Sequence, residues 1–205
     1  MGIPVMILGE SGTGKSSSMR NFAPNELSII NVDGKMLPFR NQFKKIVCTD
    51  DAEKVVELLK KTASKIVVVD DAQYIMANEY MRRAKETGFN KFTDIGQHMF
   101  NIVDCVKALP PDVVVYFLWH TEADSDGTIR AKTIGKMLNE KITVEGKFTI
   151  VLRTSVEDGV YRFLVQNNGQ DTVKTPMGMF EGPIDNDLKL VDSTIREYYG
   201  IKTKE

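Results

Sequence analysis

An α/β fold, with a mainly parallel sheet sandwiched by helices, is predicted by three observations. The chain opens on an apolar run, Ile3 to Leu8, that meets a glycine-punctuated turn and then a segment able to form a helix. Two further runs, Ile66 to Val69 and Val113 to Trp119, are continuously apolar, as in strands covered on both faces. Between them lie stretches with helical spacing, so strands and helices alternate along the chain.

The opening turn carries the most chemistry. Gly9-Glu10-Ser11-Gly12-Thr13-Gly14-Lys15-Ser16 fits G-x-x-x-x-G-K-[ST] without departure. Its setting between strand and helix separates a phosphate-binding loop from a chance match. Polyphosphate is large and anionic, so backbone N–H groups must converge on it from a tight concave turn, and Gly9, Gly12 and Gly14 allow one. The helix beginning near Lys15 adds the partial positive charge of its N-terminus. Lys15 is expected to reach the β- and γ-phosphates, and the Ser16 hydroxyl to ligate Mg²⁺. Glu10, Ser11, Thr13 and Ser17 complete the expected binding loop of a P-loop NTPase.

Ile66 to Val69 ends in Asp70-Asp71. Asp70 is read as the carboxylate that holds Mg²⁺ beside Ser16; a helix cap is the competing reading of the pair. ATP and Mg²⁺ are therefore the expected ligands. Asn90-Lys91-Phe92-Thr93 lacks the acidic fourth residue of the guanine-reading N-K-x-D pattern, so GTP is not supported.

At 205 residues, 42% hydrophobic and 27% charged, the chain reads as one domain over 1–205, with a core to about 122 and embellishments from about 123. A net charge of −1 gives no general pull towards DNA or membrane, so nucleic-acid contact would need a local patch. Basic stretches with interleaved aromatics at 35–45 and 82–91, and a basic stretch at 130–136, are candidates, a solvated connector being the competing reading of the first. Cys48 and Cys105 lack metal spacing and read as reduced thiols in or near the core. No apolar run approaches a membrane span and the first strand does not read as a signal peptide, so a cytoplasmic protein is expected.

Taken in order, the first helix is expected to continue through Ser17 to Phe22, until Pro24 stops it. Leu27 to Val32 reads as a strand, Asp33-Gly34 as a turn whose aspartate could also orient a water, and Ile46 to Cys48 as a short strand. Asp50 with Glu53, and Asp94 with Gln97, have capping-box spacing and are expected to open two helices. Ala72 to Thr87 looks helical up to Gly88. His98 reads as a surface or cap residue and Trp119 as core. A short helix is expected near Met137, and a hairpin across Asp158-Gly159. A closing helix, capped by Asp187, should pack Leu188, Val191, Ile195 and Tyr198/Tyr199.

The order of parts resembles the RecA-like (AAA-type) P-loop ATP-binding proteins encoded by bacteriophages, some of which act in single-strand annealing and recombination. The specific parts are Gly9 to Ser16 and Val67-Val68-Val69-Asp70-Asp71; Asn31 to Phe39, Lys174 to Phe180 and Ile184 to Lys189 are looser. The resemblance implies a RecA-like ATP-binding core that forms homo-oligomers with shared sites. It implies Asp71 as the carboxylate that activates the attacking water, His120 at the tip of its strand as the γ-phosphate sensor, and Lys174 as the cation reaching a neighbour's phosphates, with Arg153 and Arg162 matching less well. The implied function is an ATPase working on single-stranded DNA in phage replication or recombination. A small-molecule or nucleotide kinase and a non-hydrolysing ATP-gated loader are the alternatives from other classes.

Overall fold

A computed structural model describes residues 1–201. Among the described residues nine strands form one sheet. The sequence around it runs β1 (Ile3–Gly9), β2 (Ser28–Asn31), β3 (Ile46–Cys48), α1 (Ala52–Lys61), β4 (Ile66–Asp70), α2 (Gln73–Arg82), α3 (Asn90–Cys105), β5 (Val114–Ala123), β6 (Ile129–Ala131), β7 (Ile150–Glu157), β8 (Val160–Leu164), β9 (Ile184–Asp185) and α4 (Leu188–Tyr198). The spatial order is β3-β2-β4-β5-β1-β7-β8-β9, with β6 attached to β5. Strands β3 to β7 along this path are parallel, while β8, β9 and β6 pair antiparallel.

The continuous apolar runs follow from burial on both faces. In β1, Met6 and Leu8 join the cluster under α1, α2 and α3, while Val5 and Ile7 join the opposite cluster under α4. In β5, Phe117 and Trp119 go one way and Tyr116 and Leu118 the other. The expected α/β sandwich with its hairpin and closing helix is therefore the observed architecture. In the hairpin turn Asp158 (φ 51°) and Gly159 (φ 76°) both take the left-handed conformation, as a two-residue type I′ connection requires.

Several expectations need correction. Asp51, not Asp50, caps α1, accepting from Lys54 N at 3.0 Å; Asp50 instead accepts from Arg82 Nη1 at 2.5 Å. The second helix ends at Arg82 rather than Thr87, and α3 begins at Asn90, four residues before Asp94. Asp94 is no cap: it accepts from Arg83 Nη2 at 2.7 Å. Tyr198 and Tyr199 are each 43% exposed, so Leu188, Val191 and Ile195 form the buried face of α4 without them. Cys48 is exposed because β3 is the edge strand; Cys105 is half-buried. Ile184-Asp185 forms a short strand just before the closing helix.

Candidate functional site

The loop after β1 curls into the mouth of a cleft of about 880 Å³. A Cβ on Gly9 would lie 2.0 Å from Thr154 Oγ1 and 2.7 Å from Thr13 Oγ1, so only glycine fits between strand and loop. Thr154 of β7, which sequence reasoning did not single out, sits 2.6 Å from the Thr13 hydroxyl and donates to Leu8 O at 3.2 Å. The following helix is a six-residue 3-10 helix over Ser16–Asn21. Ser18 Oγ bonds Lys15 O at 2.6 Å, the local competition with backbone bonding that makes serine runs poor helix formers. An anion at this loop would thus meet the loop's own N–H groups rather than a long helix dipole.

Lys15 is 6% exposed and stretches back across the loop, donating from Nζ to Gly9 O and Glu10 O, both at 2.8 Å. An ammonium has three donors, which leaves one for an anion. Burial lowers its pKa to about 8, against the pull of Asp71 and Asp70.

The acidic strand tip meets this loop. Ser16 Oγ donates to Asp70 Oδ1 at 2.8 Å. Burial pushes the Asp70 carboxyl up to about 6, with the Ser16 hydrogen bond opposing the rise. Two hard oxygen donors side by side suit Mg²⁺, which keeps most of its waters and takes few protein ligands. Asp71, one residue on, adopts φ 60°, an arrangement that aspartate tolerates better than most residues. Its Oδ1 lies 3.1 Å from His120 Nε2 and its Oδ2 accepts from Lys35 Nζ at 3.2 Å. Burial pushes the Asp71 carboxyl up, but these two hydrogen bonds outweigh it and hold the group below the usual carboxylate range.

The sheet order explains why His120 is here. β5 lies between β1 and β4, and His120 is in register with Gly9. Its ring packs edge-on against Tyr74 at 5.5 Å. Lys35 also pairs with Asp33 at 2.8 Å and lies 4.6 Å from the centre of the Tyr74 ring; chiefly the Asp33 bond raises its pKa. Lys35 and Tyr74 line the cleft; from sequence Lys35 stood only within the basic stretch 35–45, and Tyr74 was not singled out. For Lys35 the available signal was its place just after the turn that ends β2.

The structure thus brings Ser11, Gly12, Gly14, Lys15, Ser16, Ser17, Asp71 and His120 to one cleft wall, with Asp70 beneath Ser16. It does not bring Lys174 there. That residue is exposed, and its backbone bridges Val151 in β7, with N–H···O distances of 3.0 and 2.8 Å. Burial lowers its pKa, against the pull of Glu145. Arg153 pairs with Asp171 at 2.9 Å, and Arg162 is exposed on β8.

The basic stretches are mostly paired. Arg83 binds Glu79, Glu86 and Asp94, Arg82 binds Asp50, and Lys91 is buried with its Nζ on Glu86 O. Arg130 binds Asp124, and Lys136 lies 3.4 Å from Glu140. In the stretch 35–45, Lys35 is paired with Asp33, and Lys35 to Leu37 and Phe39 to Phe43 line a second cleft of about 920 Å³, where Phe39 and Phe43 meet edge-on. His98 pairs with Glu79 at 2.9 Å.

A parallel sheet with a phosphate loop after β1 and an acidic tip two strands away defines an α/β P-loop NTPase. The chain belongs to the AAA domain family, whose model matches residues 1–176. That membership implies ATP binding, and AAA domains generally hydrolyse ATP. No curated protein matches the chain. No helix among the described residues is long and apolar enough to cross a membrane.

Proposed function

We propose that this AAA-domain protein is a Mg²⁺-dependent ATPase that acts on single-stranded DNA in phage replication or recombination. The observation that carries the enzymatic part is the convergence of Lys15, Ser16, Asp71 and His120 on one cleft, with Asp70 hydrogen-bonded to Ser16 beneath it. Phosphoryl transfer needs positioning and charge stabilisation more than covalent chemistry. Lys15 contributes a buried ammonium to the phosphates. Ser16 and Asp70 are the residues that would hold Mg²⁺, which when bound neutralises charge on the β- and γ-phosphates. Asp71 orients the attacking water, and His120, tied to Asp71, registers the γ-phosphate. The oxygens of Asp71 keep lone pairs for a water, since a carboxylate has about four acceptor sites.

The DNA part is supported by the resemblance to phage proteins and by the cleft at residues 35–45, where Phe39 and Phe43 stand among Arg20, Lys35 and Arg40. Bases stack on aromatic rings while basic groups follow the backbone. A second reading, the ATP-gated loader with slow turnover, is favoured by one feature: both Asp71 oxygens are already engaged.

Lys15→Ala is expected to abolish nucleotide binding by calorimetry while leaving the fold intact. Unchanged binding would end the site assignment. ATP turnover measured with and without single-stranded oligonucleotide separates the two readings: DNA stimulation supports the ATPase, and slow, DNA-independent turnover supports the loader.

A further inference from the structure

The cleft extends past the phosphate loop on the side away from the acidic tip. β4 and β5 flank β1 on one side, and β7 and β8 lie on the other. There Tyr161 of β8 stands against Gly14: a Cβ on Gly14 would meet Tyr161 Cδ1 at 2.9 Å and the Asn186 amide at 3.1 and 3.2 Å. Asn186 N donates to Tyr161 O at 3.3 Å, and Arg20 Nη1 donates to Asn186 O at 2.6 Å. Tyr161, Asn186 and Arg20 therefore form one connected wall, and all three line the cleft.

Two features of this wall lack a structural purpose. Asn186 is 1% exposed, yet its Nδ2 finds no hydrogen-bond partner among the described residues. Such buried donors are rare because leaving one unpaired is costly. Tyr161, by contrast, is 46% exposed although it is a large aromatic standing against the buried Gly14. A flat ligand with acceptors on its edge answers both.

We propose that Tyr161 and Asn186 form the nucleobase subsite: the base stacks on the Tyr161 ring, and Asn186 Nδ2 donates to an acceptor of the nucleoside. Arg20 acts as a positioning residue by fixing the Asn186 backbone. The inference rests on the phosphate-loop reading above, because it needs the triphosphate at Gly9 to Ser16. Stacking accepts any base and favours the larger purines, so the subsite selects nucleotides over bare polyphosphate more strongly than one purine over another.

The test compares ATP with inorganic tripolyphosphate, which shares the phosphates and lacks the nucleoside. Tyr161→Ala is expected to weaken ATP binding about tenfold, as loss of one stacked base does, and to leave tripolyphosphate affinity unchanged. Tyr161→Phe, which keeps the ring, should bind both like the parent. 2-Aminopurine riboside triphosphate should lose fluorescence on binding the parent and not on binding Tyr161→Ala. Equal losses for ATP and tripolyphosphate, or no loss for either, would overturn the subsite. A parent that binds neither compound would overturn the phosphate-loop reading and this inference with it, whereas tripolyphosphate binding with no further gain from the nucleoside would remove the subsite alone.

Discussion

Asp70 is a carboxylate that the fold keeps nearly dry, 5% exposed and with its pKa raised to about 6 by burial. An unfolded aspartate ionises near pH 4, so between about pH 4 and 6 the native state holds the proton and the unfolded chain does not. Stability contributed at this site therefore falls as pH rises through that window and stays low above it. Asp70→Asn removes the buried charge and keeps an acceptor for the Ser16 hydroxyl. It is expected to stabilise the nucleotide-free protein at neutral pH by on the order of 2 kcal/mol, with the gain vanishing near pH 4, while Mg²⁺ no longer strengthens nucleotide binding. Denaturant melts of both proteins at the two pH values check the sign; a less stable variant at neutral pH would refute it. A more stable variant would mean that the site holds a group worse for the fold than its amide and kept for the cation.

At the scale of the element, α4 shows how a helix can carry charge into the interior. Asp192 and Arg196 follow Leu188 by four and eight residues, so helical spacing sets them beside the apolar stripe of Leu188, Val191 and Ile195. Both are buried. Tyr116 of β5 donates to Asp192 Oδ1 at 2.9 Å, Arg196 Nε donates to Asp192 Oδ2 at 2.6 Å, and Arg196 reaches Asp112 O and Lys65 O, each at 3.0 Å. Burial, with the Asp192 charge beside it, drives the Tyr116 hydroxyl well above its ordinary pKa. Asp192→Ala leaves the guanidinium buried without its carboxylate and is expected to cost about 3–5 kcal/mol. Urea unfolding followed by circular dichroism measures it; a loss below about 1 kcal/mol, the size of a surface pair, would show that the network is not holding the helix. The same dependence on partners explains the misplaced caps. Asp50 has the capping-box spacing that Asp51 lacks, yet Arg82, which arrives from α2, takes the first and leaves the second to α1.

The whole molecule decides which charges can meet the phosphates. Two lysines are candidates for the cation that stabilises charge developing on the γ-phosphate. Lys35 lines the cleft of its own chain, whereas Lys174 lies outside it and could act only on the site of a second copy. Lys174→Ala is expected to remove turnover and leave ATP affinity intact, with solution mass rising when ATP is added to the parent. If Lys174→Ala turns over like the parent and Lys35→Ala does not, the cation is supplied within one chain and shared sites are unnecessary. Lys35→Ala frees Asp71 as well, so its ATP affinity must be read alongside turnover.

Much of this site is written locally. The residues from Gly9 to Ser16 announce a phosphate loop because the turn, the lysine and the hydroxyl are adjacent in the chain, and Val67 to Asp71 announce a doubly buried strand with an acidic tip for the same reason. The α/β class and the hairpin at Asp158-Gly159 follow from short-range periodicity and turn chemistry. What the chain could not state alone is which elements become neighbours: that β5 inserts between β1 and β4 and sets His120 beside Gly9, that Lys35 folds onto Asp71, that Thr154 pins the loop, and that Tyr161 and Asn186 close its far side. These are contacts between residues distant in sequence. They are fixed by packing two apolar layers against one sheet, and no local preference encodes that choice.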